Sequence, residues 1–255
     1  MRVLLTNDDG LHSEGILTAY AALKTAGHTL TVCAPDRERS ANSQCLTLRE
    51  PLTVSPKILP DGATGYAVSG TPADCARLGL TALAKEPVEL VVSGINSDFN
   101  LGYDVNYSGT VGAALEAAST GVMAVAISLE KAPTYNWQFA GLVLIEVANK
   151  IRSWAIPAGV ALSVNVPHAA RDQKIVWAKP YHQASRDYFQ PLQEPDDPSP
   201  NPSGSLKYVR LRGTPFDLED EPEYDISLVK AGWVTISPLV GVGLHNSTFG
   251  RFKTD

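Results

Sequence analysis

The stretch VELVVSGINSDFNLGYDVNYSGTVGAALEAASTGVMAVAIS, residues 88–128, decides the fold. It opens with an apolar run at Val88–Ser93 and closes with a second at Val122–Ser128, and between them a helix of small residues is predicted at Thr110–Ser119. Runs that are apolar at successive positions are typical of strands covered on both faces. A strand, a helix and a second strand in this order predict two parallel strands of one sheet.

The same alternation extends in both directions from this stretch. Further strands are predicted at Arg2–Thr6, His28–Ala34 and Val160–Val166, and further helices from Ser13 to Gly27, from Thr71, and at about Trp137–Ser153. Strands that alternate with helices indicate a sheet with helices on both sides. We therefore predict an α/β protein with a Rossmann-like, doubly wound, mainly parallel sheet over roughly the first 170 residues.

The composition changes in the last third of the chain. Five prolines lie between Pro191 and Pro202, and six carboxylates without a basic residue lie between Asp217 and Asp225. Proline lacks the amide that a central strand needs, so this region is predicted to be a protruding β-hairpin arm that holds a partner subunit. The predicted organisation is a catalytic core at 1–178 and an arm with a C-terminal oligomerisation segment at 179–255, together one functional domain. Within the second part, elements are predicted at Leu206–Arg212 (strand), Asp225–Ala231 (helix) and Trp233–Ser237 (strand).

Composition and charge exclude several classes of function. The 255 residues carry a net charge of −6 and 44% are hydrophobic, which favours a large core and argues against a partner such as a nucleic-acid duplex. Apolar runs are shorter than the ~20 residues that span a bilayer, so no membrane partner is predicted. Three cysteines fit neither a zinc site nor a disulfide framework, which favours a cytoplasmic protein. The dinucleotide motif G-x-G-x-x-G does not follow the first strand.

Two aspartates follow the first predicted strand directly. Asp8 and Asp9 precede Gly10, which permits a sharp turn. Carboxylates that converge beyond a strand end repel each other unless they share a proton or a cation. A bound metal ion is therefore one interpretation of the pair. The alternative is an ordinary turn that only ends the strand, and the dipeptide alone does not decide between these two interpretations.

A charged and hydroxyl-rich segment follows the second predicted strand. Arg37–Ser43 places Ser40 where its hydroxyl can reach a metal ion, and the arginines where they can reach an anion. Taken by itself, the segment is better explained as a solvated surface loop.

The richest stretch of polar residues lies between Ser93 and Glu116. Asn96 offers an amide oxygen as a neutral metal ligand, and Asn100, in the loop that follows, is predicted to bind the phosphate or another part of the substrate. Ser108, Gly109 and Thr110 open a helix whose N-terminal amides can bind a phosphate group. The alternative is that the small residues here only allow the helix to pack closely on the sheet.

Together these side chains form an all-oxygen donor set. Carboxylate, hydroxyl and amide oxygens suit Mg²⁺, Mn²⁺ or Ca²⁺ better than zinc. A hard cation beside an anion site at a helix N-terminus predicts metal-assisted hydrolysis of a phosphoester.

Five motifs give the chain a family resemblance. MRVLLTNDDG, APDRERSA, SGTPADC, SGIN and YSGTVGAALEA, in this order, resemble the survival protein SurE family of metal-dependent nucleotidases. The resemblance runs from Met1 to about Val166 and resumes at Asp225–Leu239. It departs at Ser43-Gln44-Cys45, where the family usually has Gly-His-Ser, and at Asn96–Asn100, where it usually has Asn-x-Gly-x-Asn.

The resemblance implies a site, an activity and an assembly. It implies one divalent metal ion per subunit (Mg²⁺, Mn²⁺ or Ca²⁺) held by Asp8, Asp9, Ser40 and Asn96, with Asp8 and Asp9 as the catalytic residues. It also implies a hydrolase that acts on nucleoside 5′-monophosphates, often on 3′-monophosphates and sometimes on polyphosphate. A homodimer or homotetramer is implied as well, assembled through an extended hairpin.

Two other classes of function stay open at this level. One is a metal- and nucleotide-binding sensor without catalysis, against which the intact ligand set counts. The other is a glycosyltransferase-like protein with an aspartate pair at a metal–diphosphate site, for which the chain lacks a second full Rossmann domain.

Overall fold

The computed structural model describes residues 1–170, 174–182, 188–191, 209–212 and 221–241. The strands are β1 (Arg2–Thr6), β2 (Thr29–Pro35), β3 (Val54–Ile58), β4 (Thr64–Val68), β5 (Leu90–Asn96), β6 (Met123–Leu129), β7 (Val160–Val166), β8 (Ile175–Trp177), β9 (Tyr188–Pro191), β10 (Val209–Arg212) and β11 (Val234–Val240). The helices are α1 (Glu14–Thr25), α2 (Pro72–Leu78), α3 (Gly109–Ser119), α4 (Trp137–Lys150) and α5 (Asp225–Lys230). Short helical turns lie at Gly79–Leu83, Gly102–Asn106 and Ile151–Trp154.

A nine-stranded sheet organises the described residues. Its order is β3-β4-β2-β1-β5-β6-β7-β11-β8, and the six strands from β4 to β7 are parallel to one another. Numbered among themselves along the chain, these six lie in the order 3-2-1-4-5-6 of a Rossmann sheet. The predicted fold is confirmed. The strand order reverses between β1 and β5, and ligands of such sheets bind at that switch point.

Alternate residues of the central strands pack against opposite helix layers. Leu5 and Val92 lie in the core on the side of α1 and α4, whereas Leu4 and Val91 lie in the core with residues of α2 and α3. Because both faces are covered, the strands are apolar at successive positions. The apolar runs in the sequence therefore mark the positions of the central strands.

Several predicted boundaries coincide with the observed ones, and others shift. β1 and β7 have the predicted bounds, and Thr71 begins α2 with a reciprocal capping box to Asp74. The strand predicted at Val88–Ser93 begins and ends later, as β5, and continues through the first residues of the predicted polar loop. Short strands β3, β4 and β8 had no clear signal in the sequence.

The C-terminal residues contribute to the main sheet as well as to a hairpin. β11 lies between β7 and β8, antiparallel to β7. β9 and β10 pair antiparallel as a separate two-stranded sheet, as the predicted arm requires. Much of the predicted arm and acidic stretch (192–208 and 213–220) and the end of the chain (242–255) lie outside the described residues, so the division at residue 178 stays a prediction.

The helices in the described part of the chain are too short or too polar to span a membrane.

Candidate metal and phosphate site

The loop after β1 is shaped by Asn7. Its side-chain oxygen accepts a hydrogen bond from the Gly10 amide (3.2 Å), and its side-chain nitrogen donates to the Gly10 carbonyl oxygen (2.9 Å). Gly10 has φ +95°, a conformation that favours glycine. Asn7 therefore closes the turn, which leaves the carboxylates of Asp8 and Asp9 for other contacts.

Asp8 lies against the N-terminus of α3. Its side chain is buried, and its Oδ1 atom accepts a hydrogen bond from the Thr110 hydroxyl. Burial raises the pKa of Asp8, while the Thr110 hydroxyl and backbone amide act in the opposite direction. A Cβ atom at Gly109 would lie 2.9 Å from the Asp8 Cβ atom. The glycine therefore lets the helix start approach Asp8 closely.

Asp9 joins the ends of the two strands at the switch point. Burial, followed by the charge of Asp8, raises the pKa of Asp9 to about 6, and the Ser97 backbone amide opposes this rise. Ser97 directly follows β5. The pair of carboxylates is thus partly desolvated and mutually repelling, which is the electrostatic condition that a bound cation relieves.

The segment that carries Ser40 is docked onto the site. The Arg39 amide donates to the Asp8 carbonyl oxygen (2.7 Å), and Ser43 donates from its amide to the Tyr107 carbonyl oxygen (2.9 Å). The Ser43 hydroxyl also donates to the Asn106 carbonyl oxygen (2.6 Å). These contacts make the segment more than a solvated loop, the alternative favoured by its sequence alone.

Gly112 of α3 permits this docking. A Cβ atom there would lie 2.1 Å from the Ser43 carbonyl oxygen, so only glycine lets the loop backbone rest on the helix. Ser40 itself is exposed, and its hydroxyl donates to Glu38 Oε1 (2.8 Å). The loop brings Ser40 near the first strand's end, but its hydroxyl bonds to Glu38 and not to either aspartate.

Gln44, one of the departures from the family pattern, contacts the same helix. Its side-chain nitrogen donates to Glu116 Oε2 (3.0 Å), and Arg77 donates from Nε to Glu116 Oε1 (2.7 Å). Glu116 is buried, and a buried carboxylate is stabilised by such partners. The glutamine therefore gives the loop a further attachment to α3.

Asn96 ends β5 after a bulge. Ser93 and Asn96 of β5 pair with Ala126 and Ser128 of β6, so β5 contains an extra residue between them. Bulges redirect the side chains that follow. The Asn96 side-chain nitrogen donates to the Asp98 carbonyl oxygen (2.7 Å), so a cation would be bound through the amide oxygen.

The predicted phosphate-binding residues have different surroundings. Ser108 caps α3, and its hydroxyl oxygen accepts a hydrogen bond from the Val111 amide (3.1 Å). Thr110 contacts Asp8, as described above. Asn100 is buried and bonds to Ser128 and Asn165 of the neighbouring strands. The structure therefore brings Thr110 and Gly109 directly to Asp8, and places Asn100 on the side of β6 and β7.

The donor set fits a hard divalent cation. Two desolvated carboxylates, a hydroxyl and an amide oxygen are the ligand types that Mg²⁺, Mn²⁺ and Ca²⁺ take. Within the residues the structure describes, no group of three or more His, Cys, Asp or Glu side chains forms another candidate centre. The candidate site therefore consists of two acidic ligands and two neutral oxygen ligands.

Sequence reasoning missed several contacts around these residues. Neither the bond between Thr110 and Asp8 nor the attachment of Gln44 to Glu116 was predicted. The glycines of the helix start carried a usable signal, because Gly109 and Gly112 are three residues apart and so share a helix face. From the sequence, Gly109 is predicted to let a phosphate approach the helix start, with packing on the sheet as the alternative for the small residues; in the structure Gly109 lies against Asp8 and Gly112 against the Ser43 backbone.

The fold and the site together define a class: a Rossmann-type α/β protein with a partly desolvated carboxylate pair and a helix N-terminus at the switch point of its sheet. The family model described as "Survival protein SurE" matches residues 3–189. The chain belongs to the SurE family, as its motifs indicate.

Relatives of known name and structure agree with this assignment. The chain is 39% identical to a "5'-nucleotidase SurE" from Pelotomaculum thermopropionicum, over 94% of this chain and 89% of that protein. It is 40% identical to a "5'-nucleotidase SurE" from Syntrophus aciditrophicus, over 94% of this chain and 88% of that protein. The crystal structure of a SurE protein from Aquifex aeolicus superposes with a TM-score of 0.79 at 31% identity, covering 96% and 95% of the two chains.

Proposed function

We propose that this chain is a divalent-metal-dependent phosphomonoesterase, a 5′-nucleotidase that hydrolyses nucleoside 5′-monophosphates to nucleoside and phosphate. The observation that carries the proposal is the contact between Asp8 and the N-terminus of α3 at the switch point. It joins a candidate metal ligand to a candidate phosphate site. The names of relatives that match over nearly the whole chain support the same activity.

We assign the metal to Asp8, Asp9, Ser40 and Asn96. When bound, a divalent cation polarises the phosphate oxygens and lowers the pKa of a coordinated water. The chain's own contribution is to hold the ligands in place. Thr110 fixes one carboxylate oxygen of Asp8, and the Arg39 amide ties the Ser40 loop to the Asp8 backbone.

The phosphate group is proposed to bind at the start of α3. Much of the first turn already has partners, because the Ser108 hydroxyl accepts from the Val111 amide and the Ser108 carbonyl accepts from the Gly112 amide. The groups assigned to phosphate are therefore the Gly109 amide and the hydroxyl hydrogen of Ser108. Asn100 is assigned to the substrate side of the same site.

Asp8 and Asp9 are the proposed catalytic residues. Of the two, Asp9 is the better candidate for the general base, because it is less buried than Asp8 and therefore more open to a reacting water. Asp8 is the more buried of the two and is held by Thr110, which suits a residue that anchors the cation.

Finer properties are proposed on the family resemblance. They are activity on 3′-monophosphates and polyphosphate, one Mg²⁺, Mn²⁺ or Ca²⁺ ion per subunit, a cytoplasmic location, and assembly as a homodimer or homotetramer through residues 179–255. The paired strands β9 and β10 support an arm that a second subunit could cover, since an isolated two-stranded hairpin is marginally stable in water. A sensor without catalysis is not favoured, because the relatives named above are nucleotidases.

The test is a screen of nucleoside 5′- and 3′-monophosphates and polyphosphate with Mg²⁺, Mn²⁺ and Ca²⁺. We expect metal-dependent release of phosphate from 5′-monophosphates, and its loss by a factor of at least about 100 in Asp8→Asn and Asp9→Asn. Asp61→Asn is the matched control, because Asp61 bonds to the Tyr20 hydroxyl away from the site. Near wild-type turnover by either site variant with saturating Mn²⁺ would show that the metal assignment is wrong.

A further inference from the structure

Asn165 is a buried amide in a strand that is otherwise suited to apolar side chains. It lies near the end of β7, and none of its surface is exposed. Its neighbours across the sheet are Ser128 of β6 and Thr235 of β11. Burying an amide costs free energy unless its hydrogen bonds are made, so its partners indicate what the residue does.

Both ends of the Asn165 amide bond to the backbone of Asn100. The Asn165 side-chain oxygen accepts a hydrogen bond from the Asn100 amide (2.9 Å), and its side-chain nitrogen donates to the Asn100 carbonyl oxygen (3.0 Å). One side chain thus satisfies the donor and the acceptor of a loop residue, much as a neighbouring strand would.

The Asn100 side chain is held as well. Its nitrogen donates to the Ser128 hydroxyl (2.7 Å). Two residues along the loop, the Gly102 amide donates to Asp225 (2.8 Å). The loop that follows β5 is therefore fixed by residues of β6, β7 and α5, and Asn165 makes the contacts to the Asn100 backbone.

We infer that Asn165 is a positioning residue that fixes Asn100 on the substrate side of the site. The inference rests on the proposed function, because Asn100 is assigned there to substrate binding. Of the proposed metal ligands, Asp8 is held by Thr110, and the Ser97 amide that contacts Asp9 directly follows β5, next to the end of that strand. Loss of the Asn165 contacts should therefore weaken substrate binding more than metal activation.

The test compares two variants that each replace a buried polar side chain by an apolar one of similar shape. Asn165→Leu removes the two hydrogen bonds to Asn100, together with a longer one from the Asn165 side-chain nitrogen to the Ser163 hydroxyl (3.4 Å) within β7. Thr235→Val, directly opposite on β11, removes a buried hydroxyl that has no hydrogen-bond partner among the residues the structure describes. Thermal unfolding shows whether each variant is folded, and steady-state kinetics with 5′-AMP and Mn²⁺ give KM, kcat and the Mn²⁺ activation constant.

We expect Asn165→Leu to raise the KM for 5′-AMP about tenfold, since two buried hydrogen bonds are lost. The kcat value and the Mn²⁺ activation constant should change by less than about threefold, as for interactions made equally in the ground and transition states. Thr235→Val should leave all three values near those of the wild type. An unchanged KM in folded Asn165→Leu, or an equal rise in Thr235→Val, would overturn the inference.

A second measurement separates this inference from the proposed function. Amide hydrogen exchange in the peptide covering 99–103 should become faster in Asn165→Leu and stay unchanged in Thr235→Val. If the wild type does not hydrolyse 5′-AMP with Mn²⁺, the proposed function fails, and the exchange rates decide the positioning role alone. Equal exchange in the wild type and Asn165→Leu would refute that role.

Discussion

Replacing Gly112 by alanine should detach the Ser40 loop from α3 without unfolding the protein. The new Cβ atom would lie 2.1 Å from the Ser43 carbonyl oxygen and 2.4 Å from its carbonyl carbon. Both are backbone atoms, which cannot rotate away as the end of a flexible side chain can. Either the loop or the helix must move.

The size of the effect follows from three contributions. Gly→Ala in a helix interior normally stabilises by about 1 kcal/mol, whereas forcing an extra carbon into a packed contact costs about 1–3 kcal/mol. If the loop lifts away, the two hydrogen bonds of Ser43 to Asn106 and Tyr107 are lost, each worth about 1 kcal/mol. Subtracting the helical gain leaves about 0–2 kcal/mol if the tight contact remains and about 1 kcal/mol if the loop lifts away, so we expect Gly112→Ala to lower the free energy of unfolding by about 1 kcal/mol.

Gly141→Ala is the matched control. Gly141 is also a buried glycine inside a helix, α4, but its nearest contacts to an added Cβ are ordinary, at 3.4 Å to Ala22 and 3.5 Å to Thr18. This variant should be as stable as the wild type or more stable, by up to about 1 kcal/mol.

Two assays distinguish loop displacement from general destabilisation. Urea unfolding gives the stability difference, and a Mn²⁺ titration of phosphate release gives the activation constant. Because Ser40 moves with the loop, Gly112→Ala should raise that constant about tenfold, as is usual when residues that support metal ligands are lost. If Gly112→Ala matches Gly141→Ala in both stability and Mn²⁺ dependence, the loop does not depend on this contact, and the reasoning fails.

Three further predictions concern the acid pair, the helix start and the arm. In metal-free protein, Asp9 has a pKa of about 6 against an ordinary 3.8. The folded protein therefore binds this proton more tightly than the unfolded chain, and the resulting stabilisation is present at low pH and lost as the pH rises through about 6. Asp9→Asn should therefore be more stable than the wild type at pH 8 in EDTA but not at pH 4, and urea unfolding at the two pH values checks this. Gly109→Val should raise both the KM for nucleotide and the Mn²⁺ activation constant, because its Cβ atom meets Asp8 and its side chain would stand beside the proposed phosphate position; a folded variant with both constants unchanged would contradict the site. Deleting roughly 191–213 should lower the assembly state in light scattering and leave Mn²⁺ affinity nearly unchanged, whereas a monomeric full-length protein would remove the proposed role of the arm.

The sequence by itself determined the central sheet and the strand ends from which the proposed metal ligands come. β1 and β7 could be bounded because both faces of each strand are covered, so their residues are apolar in sequence. β3 and β4 could not, because β3 lies at the edge of the sheet and is mostly exposed. Asp8, Asp9 and Asn96 could be proposed because ligands of wound sheets bind at the carboxyl ends of strands.

Only the tertiary structure decided how these side chains are held. Thr110 bonds to Asp8 across 102 residues of sequence, Gln44 to Glu116 across 72, and Asn165 to Asn100 across 65. No local pattern specifies such pairs, because each depends on which strands are neighbours in the sheet. Whether a residue is polar and follows the end of a strand can be read from the local sequence. The partner of a buried polar group depends instead on the order of the strands in the sheet, and on how closely the loops approach α3 at Gly109 and Gly112.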